Sequence, residues 1–249
     1  MHFISGTYNC LTDIGKKREV NEDFASGKVN AFGQLLLLVS DGMGGRNKGD
    51  YASSYLGNNL LDEFINVKRG FKSINQVKSW LYKKINKLNR DIYSKSHSEI
   101  EYENMGATLT AAIIFKDQVV VAQVGDSRLY KIDEDGNLVQ LTVDQSYVQY
   151  LNHQNKISAN EMTSHKERHK LTNAIGVRYN ANVDLLSFPY SKEKLLLCSD
   201  GLYNNVPFNT IKSILKGDDS PSRKCQQLIA FGNNNGGSDN MAVIIWEAN

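Results

Sequence analysis

The stretch Leu35 to Gly45, LLLLVSDGMGG, constrains this chain more than any other. Four leucines, Val39 and Ser40 run directly into Asp41, and three of the next four residues are glycine. An apolar run this short, closed by a turn signal, reads as a strand buried in a core. Asp41 then stands where a rigid strand opens into a flexible turn. A carboxylate placed there can hold a cation against bare backbone. The same Asp-Gly pair also ends strands for turn reasons alone, so the stretch by itself leaves both readings open.

A chain of 249 residues fits one domain spanning 1–249 and is long enough to bury a substantial core. Its net charge of +2 argues against a nucleic-acid or membrane partner recruited by bulk electrostatics. Cys10, Cys198 and Cys225 are odd in number and widely spaced, matching neither a disulfide framework nor a zinc site. Reduced thiols in a cytoplasmic protein are the simple expectation. The first residues turn polar too early for a signal peptide, and no apolar run approaches the ~20 residues of a membrane span.

Periodicity places the other elements. Tyr51, Tyr55, Leu56, Leu60, Phe64 and Val67 predict a helix over roughly 48–67. Ile74, Val77, Leu81, Ile85, Leu88 and Ile92 predict a second over roughly 74–96. Its Lys83, Lys84, Lys87 and Arg90 read as the solvated face of that helix. From Gly106 the period becomes two. Thr108–Ile114, Val119–Val124 and Ser127–Ile132 read as three strands of a meander, the last two joined by a two-residue hairpin at Gly125-Asp126. Strands return at Val183–Phe188, Leu195–Cys198 and Met241–Trp246, with helices near Thr210–Leu215 and Arg223–Phe231. Strands, then two helices, then more strands favour an α+β layered sandwich. Residues 145–180 read as an inserted surface flap, with short helices near Tyr147–Asn152 and Ala159–His165. The flap's His153, His165 and His169 lack any regular ligand spacing, so exposed side chains are expected there.

An internal echo ties the chain together. Leu195 to Gly201, LLLCSDG, repeats the chemistry of Leu36 to Gly42, LLLVSDG, while Asp239 precedes a buried strand instead of ending one. Asp41, Asp200 and Asp239 can therefore meet at one rim of a sheet or sandwich, with Glu22, Asp23 and Asp126 within reach. Several carboxylates cannot share a small volume as bare anions. Divalent cations resolve the conflict, and oxygen-only ligation points to Mg²⁺ or Mn²⁺. The Gly42 carbonyl can approach such an ion because no side chain blocks it. Two such ions can activate a water and clamp a phosphoryl group. Arg18 supplies a forked donor matched to phosphate oxygens.

With those residues in place, the chain resembles the PP2C (PPM) family of metal-dependent serine/threonine protein phosphatases, in its bacterial form. Gly15-x-x-Arg18-x-x-Asn21-Glu22-Asp23, Asp41-Gly42-Met43-Gly44-Gly45, Gly106-Ala107-Thr108 and Gly125-Asp126-Ser127-Arg128 are similar to family motifs. So are Leu141-Thr-x-Asp144, Ser199-Asp200-Gly201-Leu202 and Ser238-Asp239-Asn240, all in the family's order. The resemblance implies a four-layer αββα sandwich: two antiparallel sheets packed face to face, flanked by helix pairs, with a flap insertion. It implies that Asp41 bridges two Mn²⁺ or Mg²⁺ ions, with Asp200 and Asp239 on the first and the Gly42 carbonyl on the second. Glu22 would ligate or orient the second ion's shell, and Asp23 and Asn240 would stand behind the ligands. Asp126, with Asp200, would match a third, weaker ion, although a plain turn residue is the alternative. Arg18 would hold the substrate phosphate, and an activated water, not a side chain, would be the nucleophile.

The implied partners are phosphoproteins and a serine/threonine kinase that the enzyme opposes. The protein is expected to act as a monomer, without nucleic acid or membrane. A phosphoprotein sensor without turnover would have lost a metal aspartate, and none is missing. A nucleotide cradle at Gly42–Gly45 would need Gly-Lys-Ser/Thr next, which is absent. Three positions depart from the family pattern. Met43 replaces a histidine that animal members place as a proton donor, so leaving-group protonation falls to water or the substrate's surroundings. Gln145 stands where His is common. Asn173 stands where Arg is usual, with Arg178 nearby. The last two bear on how the flap is anchored.

Overall fold

The leucine run becomes β3 (Leu35–Met43), and its burial dictates the layers around it. Successive strand residues point to opposite faces. Leu36 and Leu38 pack beneath helices, while Leu35, Leu37 and Val39 fill the space between two sheets. All five are essentially inaccessible. A strand apolar on both faces has to be covered on both, hence its unbroken hydrophobic run.

A computed structural model describes residues 5–44, 48–133 and 135–248. One sheet has the order β1 (Gly6–Asp13), β11 (Met241–Ala248), β10 (Lys194–Cys198), β7 (Arg128–Ile132), β8 (Leu138–Gln140). The other has β2 (Asp23–Val29), β3, β5 (Leu109–Phe115), β6 (Gln118–Val124), β9 (Asp184–Pro189), with the two-residue β4 (Gly106–Ala107) against the end of β3. All pairings are antiparallel. Helices α1 (Gly49–Ile65) and α2 (Ile74–Ser98) cover the β3 sheet. Helices α5 (Asp200–Asn205), α6 (Phe208–Lys216) and α7 (Pro221–Asn234) cover the β11 sheet. The result is the expected αββα sandwich, with a third apolar cluster between the sheets.

Capping sets the helix starts. Ser73 accepts the Gln76 N–H at the head of α2. Ser220 does the same for Arg223 at α7, where Pro221 takes the first turn. No helix among the described residues is long and apolar enough to cross a membrane.

Two expectations need correction. Gly125-Asp126 is not a hairpin: β6 belongs to one sheet and β7 to the other, so the chain crosses the sandwich there. The free edge of β6 is already taken by β9, and Gly125 has φ +97°, which turns the backbone out of the sheet. β3 does not stop at Ser-Asp-Gly but continues to Met43, pairing Gly42 with Ala107 and Met43 with Gly106. The second Ser-Asp-Gly behaves differently, because β10 ends at Cys198 and Asp200 opens α5. Gly45, at the end of the Asp41–Gly45 motif, lies outside the described residues.

The flap carries α3 (Tyr147–His153) and α4 (Ala159–Ser164), and no residue of α4 is buried. Its base is latched through the two departures from the family pattern. The Asn173 amide donates to Gln145 Oε1 (2.6 Å) and to the Asn182 carbonyl (2.7 Å). Gln145 in turn accepts the Gly125 N–H (2.8 Å) and donates to Asp184 (2.6 Å). Two uncharged amides thus close the flap's base.

Candidate active site

An open cleft of about 500 Å³ lies where the two sheets meet at one end of the sandwich. Asp41 enters it from the end of β3, and Asp200 and Asp239 enter from the other sheet, beside the paired ends of β10 and β11. Asp126 arrives at the crossing between sheets, and Arg18 and Glu22 from the loop between β1 and β2. Gly42 and Asn240 also line it. Asp23 does not. It lies behind, in register with Asp41 across the β2–β3 pair, and takes the Ser199 hydroxyl at 2.5 Å.

Buried hydroxyls fix these positions. Thr108 Oγ1 accepts the Asp41 N–H (3.0 Å), and the Asp41 carbonyl accepts the Thr108 N–H (2.8 Å). Ser40 donates to the Thr108 carbonyl, and Thr108 and Ser127 share a 2.7 Å hydroxyl contact. Asp41 on one sheet and the Asp126 segment leading into the other are therefore held by one column of hydrogen bonds. Beyond Asp126, Arg128 grips Asp144 through two nitrogens and stacks 3.5 Å from the Tyr203 ring centroid. Tyr203 donates its hydroxyl to the Asp126 carbonyl. Asn240 ties down the opposite wall. Its amide donates to the Ile14 and Val20 carbonyls, and its oxygen accepts the Glu22 N–H at 2.9 Å. Glu22 then receives the Gly49 N–H at the start of α1.

The two Ser-Asp-Gly glycines are required by close approach. A Cβ on Gly42 would strike the Gly49 backbone, and one on Gly201 would strike the Asn240 carbonyl. The bareness of Gly42 therefore lets the head of α1 pack against β3, a role that its turn-like sequence did not disclose.

The electrostatics follow from crowding. Burial first, then Asp23, Asp200, Asp126 and Asp239, hold the Asp41 carboxyl well above its ordinary range. Burial and neighbouring carboxylates push Asp23 and Asp126 up to about 8. Glu22 and Asp239 are raised for the same leading reason. Arg18 offsets part of this through a 2.8 Å ion pair with Asp239. Among the described residues no three His, Cys, Asp or Glu side chains close on a single point that could hold an ion. The carboxylates ring the cleft, as like charges sharing a pocket do.

Such a ring fits hard divalent cations, because all its donors are oxygens and the one guanidinium paired with it, Arg18 on Asp239, leaves the other carboxylates without a matching cation. Beside it, Asp50 Oδ1 is buried with no hydrogen-bond partner and helps to raise Glu22. That orphan acceptor matches the hydration shell such a cation carries.

His169 is exposed, as expected of the flap histidines, but its place at the cleft was not foreseen. It lines the cleft, with Nδ1 3.7 Å from Asp200 Oδ2, a contact that raises its pKa above the ordinary imidazole value. Ligand spacing could not reveal it, since the flap delivers it across the fold. His153 is exposed and His165 half-buried. Met43 lines the same cleft and has no proton to give.

The chain as a whole has known counterparts. Residues 15–217 match the family described as Protein phosphatase 2C. The serine/threonine phosphatase stp of Listeria welshimeri is 38% identical over 239 residues, covering 96% of this chain and 94% of that protein. The protein phosphatase PhpP of Streptococcus pneumoniae is 31% identical over 240 residues, 96% of each. Among solved structures, the S. agalactiae serine/threonine phosphatase superposes with a TM-score of 0.92 at 31% identity, covering 98% of this chain and all of that one. The Mycobacterium tuberculosis phosphatase PstP/Ppp gives 0.86 at 27% identity over 98% of this chain. With the match running nearly end to end and the fold shared, this chain belongs to the protein phosphatase 2C family and is a serine/threonine protein phosphatase.

Proposed function

We propose that the enzyme hydrolyses phosphoserine and phosphothreonine on cytoplasmic proteins in a Mn²⁺- or Mg²⁺-dependent reaction, as a monomer opposing a serine/threonine kinase. The observation that carries this reading is the meeting of Glu22, Asp41, Asp126, Asp200 and Asp239 in one cleft. Asp41, Asp200, Asp239 and the Gly42 carbonyl would hold two ions, with Glu22 at the second. Asp126 with Asp200 would hold a third, weaker one. When bound, such ions act as Lewis acids and supply hydroxide near neutral pH. The chain itself orients the reactants. Arg18 presents a forked guanidinium to the phosphate. Asn240 and the head of α1 hold Glu22 in place, and Asp23 and Ser199 fix the back of Asp41's strand pair. No side chain is needed as a covalent nucleophile.

Turnover of a phosphothreonine peptide should vanish in EDTA and return with Mn²⁺ or Mg²⁺. Ca²⁺ should support less, because it favours longer bonds and higher coordination. Activity that persists under chelation would overturn the reading. Arg18→Ala should raise KM for the peptide about tenfold and lower kcat by about as much, as expected for loss of a charge-assisted contact held into the transition state. Arg18→Lys should recover only part, since the fork is lost. Steady-state kinetics on both variants provide the check.

A further inference from the structure

A second cleft, of about 520 Å³, opens beside the catalytic one. It lies between the end of α2, the 99–105 segment and the Gly176–Val177 loop. The wall between the two is thin. Met43, on the catalytic side, pairs with Gly106, and a Cβ on Gly106 would sit 3.0 Å from Met43 Cε and 3.4 Å from Val177 Cγ2. A Cβ on Gly44 would lie 3.0 Å from the Met105 backbone, which lines the second cleft. A peptide whose phosphoresidue occupies the first cleft can therefore place a neighbour a few positions away in the second, at about 3.3 Å per extended residue.

The lining has a definite character. Ile100 and Val177 are large apolar side chains left 79% and 50% exposed. The 25-residue helix α2 ends at this cleft, which brings the negative end of its dipole there. Glu99 and Glu103 add two carboxylates. The nearby lysines are engaged: Lys95 pairs with Glu99 at 3.0 Å and sits 4.0 Å over the Tyr102 ring centroid, and Lys48 pairs with Glu101. Glu103 is exposed and has no ion-pair partner among the described residues. An aliphatic stem ending in a cation fits this surface, with its methylenes over Ile100 and Val177 and its charge at Glu103.

We propose that this cleft docks the substrate polypeptide on one side of the phosphoresidue and selects a lysine or arginine there. The inference rests on the reading that phosphoproteins are hydrolysed in the adjacent cleft. It is tested with phosphothreonine peptides that differ only in Lys or Glu at each of the four positions on either side. Turnover is measured in Mn²⁺, and binding is measured by fluorescence anisotropy of the matching non-hydrolysable phosphonates. The expected result is an affinity and kcat/KM about tenfold higher for Lys than Glu at one or two positions on a single side. In Glu103→Lys that ratio should fall below about threefold. Equal values for Lys and Glu at every position, or a ratio that survives Glu103→Lys, would overturn the proposal. If hydrolysis fails altogether while the anisotropy ratio and its loss in Glu103→Lys hold, the catalytic reading falls and the docking site stands. The reverse pattern removes the docking site alone.

Discussion

Asp41→Asn should lower kcat/KM on a phosphothreonine peptide by at least about 10³-fold, roughly 4 kcal/mol of transition-state stabilisation, while leaving the fold intact. The substitution is isosteric, and the backbone of Asp41 is placed by Thr108 without help from the carboxylate. What disappears is the charge at the point where the ends of both sheets converge. Asp239→Asn should give a loss of the same order, because it removes a proposed ligand and releases Arg18 from its ion pair. The double variant should be little worse than either single one, since groups that act as a unit are not additive. Metal titration of each variant separates weakened ion binding, which excess Mn²⁺ repairs, from a lost catalytic arrangement, which it does not. Near-normal turnover by either variant would remove the carboxylate cluster from the mechanism.

Much of the fold was legible because its elements carry strong local patterns. The Leu35–Val39 run, the stepped apolar residues of α2 and the alternation after Gly106 each named their element type. The neighbours of each strand were less legible. Local pattern records burial, not which strand lies alongside. β6 and β7 both carry buried apolar residues and are separated by Gly125-Asp126-Ser127, so a hairpin and a crossing between sheets leave the same trace in sequence. The echo between Asp41 and Asp200 was readable, yet the two aspartates come from different sheets and sit on different backbone, a strand end and a helix start. The position of His169 at the cleft was not legible because it is set by the path of the flap. The exchange of Gln145 and Asn173 for the usual residues looked like a loss of anchoring. In the structure the two amides hydrogen-bond each other, and a compensation of that kind appears only once the partners are seen together.

The cluster that makes the site also sets how stability depends on pH when no cation is present. Asp23 and Asp126, buried at 9% and 7% exposure, are pushed up to about 8, while Asp41, Glu22 and Asp239 shift in the same direction. In the unfolded chain these carboxyls return to about 4. Between those values the folded protein holds protons that the unfolded protein releases, so stability is greatest below about pH 4 in this contribution and declines as pH rises towards 8. His169, also raised, contributes an effect of the same sign. In EDTA the Tm should therefore fall between pH 5 and pH 8 by roughly 5–10 °C, corresponding to a few kcal/mol. If Mn²⁺ binds the deprotonated cluster of the folded state as proposed, its stabilisation grows with pH and should flatten or reverse that slope. Asp41→Asn, which removes one carboxyl from the crowd, should raise the Tm in EDTA at pH 8 and shrink the response to Mn²⁺. Thermal melts across this pH range, with chelator and with Mn²⁺, measure all three effects. A chelated protein whose Tm is level or climbs from pH 5 to 8 would show that the carboxylates are not crowded as the structure has them, and the case for a cation-neutralised site would lose its physical basis.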